Sequence, residues 1–134
     1  MRTLVLDTNI VLDAFVFDDA AARPLKRVLV DHSHHWIATQ AMRDELARVL
    51  AYPQIVKSLV FHAVAARDVL AAFDAQATLV TVAAKASATC KDPDDQKFID
   101  LAVAHQALLL SKDKAVLCMK KRLLALGVHA QIAI

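Results

Sequence analysis

Glycine is nearly missing from this chain: Gly127 is the only one in 134 residues. A dinucleotide fingerprint or a P-loop needs several glycines so that backbone amides can approach a phosphate, and both are excluded. The scarcity also disfavours all-β folds, whose tight turns call for residues at positive φ. Cysteine is limited to Cys90 and Cys118. They lack zinc-ligand spacing and read as reduced packing thiols of a cytoplasmic protein. Long apolar runs are missing too. The stretch from Leu59 to Ala66 contains His62 and stops at Arg67, well short of the ~20 residues of a membrane helix. No membrane is expected among the partners. Asp7 and Asn9 interrupt the first apolar run, which is not the plan of a signal peptide. Neither sign of charge dominates, and a net charge of +2 permits nucleic acid without demanding it.

What is abundant points to helices on a small core. Hydrophobic residues make up 57% of the chain, above the usual share for globular domains, which argues against disorder. Alanine, the best helix former, is roughly a fifth of the residues. By length, residues 1–134 are expected to form one domain. Thr3 to Leu6 is apolar enough for a buried strand, ending at Asp7. Thr8 or Asn9 starts a helix through Phe15, and Asp18 or Asp19 starts another reaching about His32. Trp36 to Ala38 reads as a short strand. Thr39 caps a helix with apolar positions Met42, Leu46, Val49 and Leu50, which Pro53 ends. Residues 55–77 are helical, with Phe61, Val64, Val69, Leu70 and Phe73 as core. Leu79 to Val82 reads as a strand and Ala83 to Lys91 as a polar connection. Asp92-Pro93 starts a helix to about Gln106. Ala107 to Leu110 is a buried strand. One long helix follows from Ser111 or Asp113 to Gly127, and Val128 to Ile134 is a last strand. Strands alternating with helices imply a parallel sheet covered on both faces.

Four carboxylates stand out by position. Asp7 and Asp113 follow two strands, and ligands of open parallel sheets bind beyond the carboxyl ends of strands. Asp95 shares a helical face with Phe98, Ile99 and Ala102, one turn from the helix start. Glu45 borders the buried face of its helix. Several carboxylates at one rim repel one another unless a cation offsets them. Oxygen-only ligands favour Mg²⁺ or Mn²⁺ over Zn²⁺.

The motifs at these positions resemble those of PIN-domain proteins. Leu4-Val5-Leu6-Asp7-Thr8-Asn9 resembles the family's opening motif, and Glu45-Leu46 its mid-chain acidic position. Asp92-Pro93-Asp94-Asp95-Gln96-Lys97-Phe98 resembles the third motif of a PIN subfamily of toxins from type II toxin–antitoxin systems. Ser111-Lys112-Asp113 resembles the last motif. Gln96 stands where an acid is common, and Lys112 where glycine is common. The resemblance covers essentially the whole chain and implies a three-layer α/β/α sandwich with about five short parallel strands. It implies a metal-dependent ribonuclease, the toxin of a toxin–antitoxin pair, holding one or two Mg²⁺ or Mn²⁺ ions through Asp7, Glu45, Asp95 and Asp113. Thr8, Asn9 and Ser111 would orient those ligands, with Asp92 as an additional acid. The alternative is a PIN-fold module that binds RNA or a partner with little or no turnover.

The basic residues Arg43, Arg48, Lys112 and Lys114 flank these acids and are candidates to grip phosphate; the Lys120-Lys121-Arg122 run reads as a solvated face. RNA is the expected substrate. A cognate antitoxin protein and a second copy of the chain are the expected protein partners, received by apolar residues left over on the central helices. His32, His34 and His35 read as a loop entering a strand, and Trp36 as core. A receiver domain would need an acidic pair after the first strand, and a haloacid-dehalogenase-like phosphatase an aspartate where Asn9 stands.

Overall fold

In the computed structural model, which describes residues 2–134, five parallel strands form one sheet. They are β1 (Arg2–Leu6), β2 (His34–Ala38), β3 (Ala77–Leu79), β4 (Leu108–Leu110) and β5 (Ala130–Gln131), arranged across the sheet as β3-β2-β1-β4-β5. The central position of β1 follows from its composition. Leu4 and Val5 are fully buried and Leu6 nearly so, so both faces of the strand must be covered. Leu4 pairs with Trp36 on one side and Leu108 on the other.

Helices α1 (Thr8–Phe15), α2 (Arg23–Val30), α3 (Gln40–Val49), α4 (Pro53–Phe61) and α5 (Ala66–Gln76) precede β3, and α1 packs against α2 and α3, and α3 against α5. Helix α6 (Gln96–His105) packs on β1 and β4, and the short α7 (Lys114–Leu117) and α8 (Lys120–Ala125) pack on β5. Right-handed crossovers put the first group on one face of the sheet and the second on the other. The result is the expected α/β/α sandwich. Its core is anchored by Trp36, which stacks on Phe15 at 6.2 Å and meets Phe73 edge-on at 5.0 Å. Among the described residues, no helix is long and apolar enough to cross a membrane.

Several boundaries differ from the sequence reading. The third strand lies at Ala77–Leu79, earlier than the Thr/Val alternation suggests, because α5 runs directly into it and its register is set against Trp36 to Ala38. Pro53 is the first residue of α4, while α3 already stops at Val49. Asp92 does cap the turn after it, accepting from the Asp94 N–H at 2.9 Å, but Pro93–Asp95 forms a 3₁₀ turn before α6 begins. The final long helix is broken: the Met119 N–H turns to Val116 O at 2.9 Å, which separates α7 from α8. The connection expected to be polar buries Ala86, Ala88 and Cys90. Phe61 is not core but 83% exposed, because α4 turns Leu59 inward and Phe61 lies on another side of that helix. His34 and His35 belong to β2 itself, and His35 Nε2 meets Thr78 Oγ1 at 2.9 Å across to β3.

Strand order reverses between β1 and β4. In open α/β sheets the crevice beyond the carboxyl ends of strands at such a switch point is where ligands sit. The residues that immediately follow β1 and β4 are Asp7 and Ser111.

Candidate metal centre

Asp7 leaves β1 as the N-cap of α1, with its backbone N–H still in the sheet on Leu110 O at 2.9 Å. That bond fixes the carboxylate at the switch point. Asp95 closes the 3₁₀ turn ahead of α6, and Asp113 caps α7, accepting from the Ala115 N–H at 3.0 Å. Each of the three aspartates offers a carboxylate oxygen, and these oxygens lie within 4.8 Å of one another. Asp7 and Asp95 are buried, and Asp113 is half-buried.

Ser111 organises this group. Its hydroxyl, fully buried, donates to Asp7 Oδ2 at 2.7 Å and accepts the Asp113 N–H at 3.0 Å. One side chain therefore positions two of the three acids. Asn9 Oδ1 accepts the Lys112 N–H at 3.4 Å, pinning the loop after β4 to the start of α1. Thr8 donates to Glu45 Oε1 at 3.2 Å, and the Lys97 ammonium lies against Glu45 Oε2. Glu45 is thus at the rim, near enough to raise the Asp7 pKa, while the three aspartates form the tight cluster.

The electrostatics are those of a site built for a positive charge. Burial pushes the Asp95 carboxyl up to about 8, helped by the neighbouring carboxylates of Asp113, Asp7 and Asp92. Asp7 is also raised, chiefly by burial; the Ser111 and Thr8 hydrogen bonds oppose this, and Glu45 and Asp113 add to it. Among the described residues, Asp95 Oδ2 is buried with no hydrogen-bond partner. Such an atom is costly in a protein interior unless a cation or proton satisfies it. A hard divalent cation fits the all-oxygen donor set and the orphaned oxygen.

The remaining sequence candidates lie around this centre. Asp92 is half-buried and caps the turn; its backbone O accepts the Asp95 N–H at 3.1 Å, and its side-chain charge acts on the Asp95 carboxyl. Arg43 forms a bidentate pair with Asp74 at 2.6 and 2.7 Å, on the α5 side of α3. Lys112 pairs with buried Asp13 at 2.6 Å. Arg48 and Lys114 are exposed. Gln96, where an acid is common, secures the preceding loop: its amide donates to Ala88 O and Asp100, and its carbonyl accepts the Cys90 N–H at 2.7 Å. Sequence reasoning missed Lys97 and Asp13 as partners. Lys97 stands within a recognised motif, but no sequence signal pairs it with Glu45 on another helix.

An all-parallel sandwich with three converging aspartates at its switch point defines an α/β protein with a cation-seeking acidic centre. The PIN domain sequence pattern matches residues 3–115, and the chain belongs to the PIN-domain family. PIN domains are generally nucleases and use divalent metals. A comparison with curated proteins finds no match.

Proposed function

We propose that this protein is a Mg²⁺- or Mn²⁺-dependent endoribonuclease and the toxin of a toxin–antitoxin pair. The supporting observation is the convergence of Asp7, Asp95 and Asp113 around an unpartnered buried oxygen of Asp95. RNA as the substrate, and the toxin role, rest on the resemblance of the four motifs. Asp7, Asp95 and Asp113 would hold the cation, with Glu45 as a further ligand or general base. A divalent cation supplies a water of lowered pKa and offsets charge on the phosphorane and the leaving oxygen. Ser111 and Thr8 hold the rotamers of Asp7 and Glu45. Exposed Arg48 and Lys114 are free to meet the RNA backbone, whereas Arg43 and Lys112 take phosphate only by exchanging it for Asp74 and Asp13. Val56, Val60 and Phe61 on α4 are exposed and offer an apolar face to an antitoxin or a second copy of the chain in the cytoplasm.

The test is RNA cleavage with Mn²⁺ by wild type and Asp7→Asn, with circular dichroism to verify folding. Cleavage is expected from wild type, and none from the variant or from wild type in excess chelator. Undiminished cleavage in either case overturns the reading. RNA binding by wild type without metal-dependent cleavage makes the protein a PIN-fold binding module instead.

A further inference from the structure

The break between α7 and α8 leaves one carbonyl in an unusual position. In a continuous helix Ala115 O would accept the Met119 N–H, but that donor has turned to Val116 O. The freed oxygen is approached by two thiols instead: Cys90 Sγ at 3.4 Å and Cys118 Sγ at 3.3 Å. Two sulfurs sharing one oxygen lie no further apart than those two distances laid end to end. They are the only cysteines in the chain, and they come from different elements. Cys90 lies in the loop held by Gln96, ahead of the turn that ends at Asp95. Cys118 is the C-cap of α7, the helix that Asp113 starts.

Their exposures are complementary. Cys118 is exposed and Cys90 is buried. A dissolved oxidant meets Cys118 first, and the next sulfur available to an oxidised Cys118 is Cys90. The four-residue α7 is the lighter of the two supports, so it can move to bring the sulfurs to bonding distance, ~2.0 Å.

We propose that Cys90 and Cys118 are an oxidisable dithiol that closes to an intramolecular disulfide, tethering the turns that carry Asp95 and Asp113. With hydrogen peroxide as oxidant, the Cys118 sulfur attacks one peroxide oxygen, the O–O bond breaks, and Cys118 becomes a sulfenic acid while the other oxygen leaves as water with the thiol proton. The Cys90 sulfur then attacks Cys118; the S–S bond forms, the S–O bond breaks, and the hydroxide leaves as water with the Cys90 proton. Two electrons pass from the two sulfurs to the two peroxide oxygens. The closed ring spans the segment bearing Asp95 and Asp113, so the tether restrains two of the three acids at once.

Reduced protein is treated with hydrogen peroxide, then alkylated under denaturing conditions and mapped by mass spectrometry. The expected product is a monomer in which the Cys90 and Cys118 peptides are cross-linked with loss of two hydrogens, reversed by dithiothreitol. Its melting midpoint rises by about 5–10 °C. Cys118→Ser, at an exposed position, shows neither change. Both cysteines alkylated, Cys118 alone carried to sulfinic acid, or a Cys118-linked pair of chains would each overturn the proposal. The readouts need neither metal nor RNA, so they stand apart from the fate of the nuclease reading.

Discussion

A carboxylate buried beside other carboxylates must keep its proton or find a cation. Asp95 meets this requirement in its strongest form, with a pKa raised to about 8 by burial and by its acidic neighbours. Its unfolded pKa is that of an ordinary aspartate. Between about pH 4 and pH 8 the metal-free folded state therefore binds more protons than the unfolded state, and stability falls as pH rises across that window. Asp95→Asn removes this term. The variant is expected to melt above metal-free wild type at pH 8 and to lose that advantage as the pH falls toward 4. Thermal melts across this range check it, and a pH-independent difference would refute it. Mn²⁺ should raise the wild-type midpoint most at the alkaline end, since binding there displaces the fewest protons.

Among the elements, helix ends show where local chemistry decides and where it does not. Helix α6 stops at Gln106 in the left-handed conformation, φ 50°, and the chain leaves α8 through Gly127 at φ 81°. The Gln106 side chain donates to Leu126 O at 3.2 Å, so the two helix ends are clasped together. A Cβ on Gly127 would fall 2.7 Å from Gln106 Nε2. Gly127→Ala is expected to destabilise the protein by about 1–2 kcal/mol, from the left-handed backbone and the lost clasp; denaturant unfolding measures it. This stop was legible because glycine at a helix end has a local reason. The α7–α8 break was not, because no glycine or proline marks it and the cause is the turn of one amide from Ala115 O to Val116 O. Strand β1 was legible from its unbroken apolar run. Strand β3 was misplaced because its register comes from β2, not from its own residues. The site divides in the same way. Asp7, Asp95 and Asp113 could be found from strand ends and helical spacing. The pairing of Lys97 with Glu45 and of Lys112 with Asp13 depends on distances between elements that no spacing encodes.

For the whole molecule, the sheet order sets a gradient of protection. β1 is flanked on both sides and has fully buried residues, while β3 and β5 are edges of three and two residues. Amides of β1 and β4 should exchange with solvent deuterium only through global opening, and those of β3 much sooner through local opening. Equal protection across the sheet would contradict this. The same order places Asp7, made early, beside Asp95 and Asp113, made much later. Asp7 is held by Ser111 and clustered with Asp95 and Asp113. On the ribosome, Asp7 is polymerised roughly 5–20 s before Asp113 at ordinary elongation rates. Until then the centre lacks an acid and its organising serine. A nascent chain therefore carries no assembled acidic centre until Asp113 has been made.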